Sequence, residues 1–95
     1  MRAVIIYRKN TDYEREVTDF VRDFGRRTGK VIDEMDPDSK EGEAFSIAHD
    51  VVEYPTVMGL SDDGKVLAEW RGTPLPRIDE VSYYAENGGF SGTEL

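Results

Sequence analysis

The chain has no cysteine. Disulfides, thiolate nucleophiles, iron–sulfur clusters and thiolate zinc sites are therefore excluded, because each needs sulfur. Histidine is almost as scarce. His49 stands alone, which leaves little for a histidine-based metal site or a His-dependent triad, and although Asp50 follows it no nucleophile candidate is near in sequence. We accordingly expect no cofactor, no metal and no catalytic residue. Long apolar runs are missing too: none approaches the roughly 18 residues of a membrane span. The apolar stretch in Met1-Arg2-Ala3-Val4-Ile5-Ile6-Tyr7 is too short for a signal peptide. These absences predict a cytoplasmic chain with no membrane contact. What is present suits one folded domain, since 95 residues leave no room for a second core. A hydrophobic content of 38% with 11% aromatics is too high for a disordered chain.

Charge is unevenly spread. The net charge is −8, yet residues 1–30 hold eight basic side chains against five acidic ones, and the remainder four against fifteen. An acidic body repels phosphate backbones, so nucleic-acid binding would rest on Arg22, Arg26 and Arg27 alone. A helix C-terminus that favours cations is the simpler account of that cluster. No nucleic-acid partner is expected.

Ala3 to Tyr7 is a continuous apolar, β-branched run, which predicts a strand over Arg2–Tyr7 buried on both faces. Tyr13, Val17, Phe20, Val21 and Phe24 then form one apolar helical stripe. Thr11 and Glu14 are spaced as a capping box, with Asp12, Glu14 and Glu16 in the first turn. Arg22, Arg26 and Arg27 suit the last turn, and Gly29 the C′ position. Lys30–Met35 reads as a second strand, making a βαβ unit. A polar loop from Asp36 to Gly42 leads to a short helix containing Ala44, Phe45, Ile47 and Ala48, closing near His49. Val57–Leu60 and Lys65–Arg71 are strands joined through Ser61-Asp62-Asp63-Gly64, a hairpin signal. Ile78, Val81, Tyr84 and Ala85 mark a last helix ending at Asn87-Gly88-Gly89. The order β-α-β-α-β-β-α predicts an α/β fold: a four-stranded mixed sheet with helices on both faces.

Two stretches carry a family resemblance. The first is Val51-Val52-Glu53-Tyr54-Pro55-Thr56-Val57-Met58-Gly59-Leu60, followed by a Gly-containing turn and Val66 to Gly72. The second is Val4-Ile5-Ile6-Tyr7-Arg8-Lys9. In order and spacing they resemble the thioredoxin/glutaredoxin superfamily, over residues 2–87. The resemblance implies a thioredoxin-like domain over 1–87 and a cis-proline at Pro55; the chain end, 88–95, is expected to be a flexible tail. It also implies a dithiol between the first strand and first helix, and there the chain departs. Matching Lys9 to the glutaredoxin lysine puts Asp12 and Arg15 at the cysteine positions; matching Tyr13 puts Thr11 and Glu14 there. Neither register supplies sulfur, so thiol–disulfide exchange does not carry over.

The resemblance further implies that Thr11, Asp12, Tyr13 and Glu14 face Tyr54, Pro55 and Thr56 across one groove. Backbone groups of Tyr54 would there pair with an extended peptide, and Tyr13 and Tyr54 would flank it as aromatic anchors. The expected partner is a protein or extended peptide, held non-covalently by a monomer or weak dimer. An alternative is a glutathione- or small-anion-binding, transferase-like protein whose chemistry rides on Thr11, Lys9 or the helix N-terminus. Against each stands a structural reading: Thr11 and Glu14 satisfying the helix end, Pro55 only shaping a turn. The acidic stretch Asp33 to Glu43 fails the EF-hand pattern, with Lys40, Glu41 and Ile47 at positions that need other residues. His49 is read as packing or capping, and Trp70 as core.

Overall fold

The computed structural model describes residues 1–87; the segment 88–95, expected to be a flexible tail, lies outside the described residues. Strand β1 (Arg2–Ile6) runs into helix α1 (Glu14–Thr28), strand β2 (Lys30–Met35) and helix α2 (Lys40–Ala48). Strands β3 (Thr56–Leu60) and β4 (Val66–Arg71), helix α3 (Ile78–Ser82) and strand β5 (Glu86–Asn87) follow. The four long strands make the mixed sheet expected, in the order β4-β3-β1-β2. β1 pairs parallel with β2 and antiparallel with β3, and β3 pairs antiparallel with β4.

The unalternating β1 sequence has a direct structural meaning. Ala3, Ile5 and Tyr7 enter one core with Val17 and Phe24 of α1 and Val81 of α3. Val4 and Ile6 enter a second core with Met35, Met58 and Leu60, against which Phe45 of α2 and Tyr54 pack. Successive side chains thus leave opposite faces of the sheet, and each face is covered. Val17 and Phe24, both 0% exposed, anchor the α1 stripe, each contributing about 1.5–3 kcal/mol of apolar burial.

Several local details differ from the sequence reading. The first helix begins at Glu14 with Tyr13 as N-cap and no side-chain cap bond, so Thr11, Asp12 and Glu14 do not build a capping box. Asn10 takes a positive φ of 62°, and the chain folds back there. The Thr11 hydroxyl donates to the Arg8 carbonyl (2.9 Å) and the Glu14 carboxylate accepts from the Asn10 N–H (2.8 Å). Both side chains bind the preceding loop rather than the helix end. Gly29 does close α1 in the left-handed conformation (φ 68°), which costs glycine little. The last turn holds Arg26 and Arg27, whereas Arg22 lies earlier, paired with Asp19 and Asp23. The last helix stops at Ser82, and Glu86–Asn87 adds a short fifth strand beside β2.

Candidate functional site

The cis peptide bond at Tyr54–Pro55 lies where the chain enters β3; Thr73–Pro74 is also cis. Pro55 and Thr56 are buried, and Thr56 is fully so. The Pro55 carbonyl accepts from the Gly72 N–H (2.7 Å), and the Thr56 hydroxyl donates to the Glu53 carbonyl (2.6 Å). The Pro55 carbonyl and the Thr56 hydroxyl therefore hold the loop, and the two buried side chains offer no surface to a ligand. Tyr54 differs. Its phenol donates to the Val51 carbonyl (3.3 Å) and its ring is half-buried on the second core. Its backbone N–H and C=O have no protein partner among the described residues.

Arg8, which the sequence reading passed over, sits between the two expected anchors. Its backbone N–H donates to the Tyr13 hydroxyl (3.1 Å). Its guanidinium lies 4.8 Å from the centroid of the Tyr54 ring, a cation–π placement. The same guanidinium makes a two-pronged contact with Asp38, Nε to Oδ2 at 3.1 Å and Nη2 to Oδ1 at 3.2 Å. That carboxylate raises the Arg8 pKa further, so the cation persists at every working pH. Asp38 is placed by a tight loop: its N–H donates to Asp36 Oδ1 (2.8 Å), and Ser39 caps α2 by accepting from the Gly42 N–H (2.9 Å).

Tyr13 and Tyr54 are thus linked through Arg8, while Asp12 is exposed and Glu14 and Thr11 are occupied with the loop. Lys9 borders a separate depression with Tyr7, Glu34 and Asp36. There the Tyr7 hydroxyl donates to Glu34 Oε1 (2.7 Å). Burial, and then the Glu34 carboxylate, push the Tyr7 pKa well above the usual phenol value. His49 is the C-cap of α2, with Nδ1 3.0 Å from the Phe45 carbonyl and its ring stacked on Phe45. Trp70 packs half-buried on the first core.

The cavity that reaches Tyr54 is a groove of about 410 Å³ bordered by Arg8, Asp38, Ser46, Ile47, Val52 and Tyr54. Ile47 and Val52 stand well out of the surface. Larger depressions, of about 550 Å³ between α1 and α3 and about 470 Å³ at the hairpin end, contain neither candidate tyrosine. Sequence signals for this groove existed in the exposed phase of Ile47 on α2 and in the paired Val51-Val52. Nothing local marked Arg8.

Among the described residues no group of three or more metal-ligating side chains converges, and no helix is long and apolar enough to cross a membrane. No family model matches the sequence, and a comparison with curated proteins gives no match. A comparison of folds finds thioredoxin 1 from the thermophilic eubacterium Thermosipho africanus TCF52B at a TM-score of 0.62 and 14% identity, covering 88% of this chain and 89% of that one. The protein has a thioredoxin-like fold from which the Cys-x-x-Cys dithiol is missing.

Proposed function

We propose that this chain is a redox-inactive, thioredoxin-like binding module that holds an extended peptide segment of a partner protein non-covalently beside Tyr54. The observation that carries this reading is the Tyr54 backbone, just before β3, whose N–H and C=O have no protein partner among the described residues. An incoming strand can satisfy both groups, as in β-augmentation, while the Tyr54 ring and the Arg8 guanidinium supply an amphipathic wall. With no cysteine, the contact forms no covalent bond to sulfur. We read the module as a cytoplasmic monomer or weak dimer, β4 being an edge strand that exposes Val66 and Leu67. Arg22 is paired with acidic neighbours, which weakens the case for a nucleic-acid partner. No observation favours the glutathione or small-anion alternative, because Glu14 and Glu16 place carboxylates in the first turn of α1.

The test is a titration of the ¹⁵N-labelled chain with a blocked, alternating valine–threonine peptide. Amides of Arg8, Val52, Glu53, Tyr54 and Thr56 should shift, and Tyr54→Ala should weaken binding by about tenfold. Shifts confined to other surfaces would remove Tyr54 from the function, and an unaltered affinity in the variant would remove its ring while leaving the backbone pairing to the shifts.

A further inference from the structure

We infer that the groove beside Tyr54 selects a peptide in which a cationic side chain, arginine or lysine, neighbours an aliphatic one. This inference rests on the peptide-binding reading above and adds a specificity to it. Three observations converge. The groove is bordered by Asp38, Glu43 and Asp50 against a single cation, Arg8. Arg8 is neutralised by its two-pronged contact with Asp38, and Arg71, which donates to the Asp50 carbonyl (3.2 Å), is paired with Glu69, so the Glu43 and Asp50 carboxylates are left without an ion-pair partner among the described residues. Uncompensated carboxylates along one wall favour an incoming cation and repel phosphate or carboxylate ligands.

The second observation is apolar. Ile47 and Val52 are 75% and 77% exposed on the rim of the same groove, where isolated water-facing aliphatics gain by being covered. The third is polar and buried. Ser46 also lines the groove and is only 8% exposed, and its Oγ has no hydrogen-bond partner among the described residues. A buried hydroxyl without a partner is costly, and it marks the groove floor beneath α2 as a place where the free chain is imperfectly packed. An inorganic cation fits less well, since metal ligands do not converge among the described residues. A guanidinium or ammonium needs only separate contacts of this kind.

The experiment compares three blocked valine–threonine peptides that differ at one central position: arginine, norleucine or glutamate. Affinities are read from amide shifts of the ¹⁵N-labelled chain at low salt. The arginine peptide should bind about tenfold tighter than the glutamate one, with norleucine between, and the gap should narrow in 0.5 M salt. In the double variant Glu43→Gln/Asp50→Asn the ratio should fall to near one. Asp50 has a positive φ of 55°, which asparagine tolerates, so this variant keeps the local backbone. Equal affinity for all three peptides with Tyr54 still shifting would overturn the charge selectivity and leave the peptide groove standing. No shift at Tyr54 with any peptide would sink both.

Discussion

Replacing Gly42 by alanine should destabilise the protein, although alanine is the better helix former. Gly42 is the third residue of α2. A Cβ there would drive into the Asp36 carbonyl, reaching 2.6 Å from its carbon and 2.9 Å from the Ser39 hydroxyl oxygen. The obstacle is backbone and cannot rotate away, so the 36–39 loop must move. Alanine gains about 1 kcal/mol in helix propensity. Disturbing the Ser39 cap costs about 1 kcal/mol, and overpacking costs about 1–3 kcal/mol. The net loss is about 1–3 kcal/mol, or a melting temperature lower by roughly 10 °C in a chain of this size. Gly25→Ala is the internal control, because its Cβ would meet nothing within 4 Å on the exposed side of α1. That variant should be neutral or more stable by up to about 1 kcal/mol. Urea and thermal unfolding followed by circular dichroism measure both. Gly42→Ala as stable as Gly25→Ala would refute the reasoning.

Ser46→Ala should raise the stability of the free chain by about 1 kcal/mol, by deleting a buried hydroxyl that has no partner among the described residues. A less stable free chain would show that the hydroxyl is bonded after all. Tyr7 holds its proton in the folded state beyond the ordinary phenol range, so its contribution is complete below pH about 10 and is lost as pH rises above it. Stability should therefore fall between pH about 10 and 12, by up to about 1.4 kcal/mol per pH unit from this residue. Tyr7→Phe should flatten that slope, and an identical slope in the variant would assign the loss to other groups.

Much of the scaffold was legible because it is written in short periods. The unbroken apolar β1, the helical stripe from Tyr13 to Phe24, Gly29 and the Ser61–Gly64 turn each express a local rule, and each has its structural counterpart. Thr11 and Glu14 have the spacing of a capping box but also suit a second use, and the loop at Asn10 takes both side chains. β5 was missed because two residues carry no period at all.

Composition and local pattern were enough to establish a cysteine-free α/β chain without thiol chemistry, whose first strand is covered on both sides. The groove beside Tyr54 was decided elsewhere. Arg8 finds Asp38 thirty positions away and lies over the still more distant Tyr54 ring. Ser46 is left buried without a partner by the packing around it. Spacing along a chain encodes periods of two and 3.6 residues, whereas these contacts depend on how β1, the 36–39 loop and the entry to β3 meet in space.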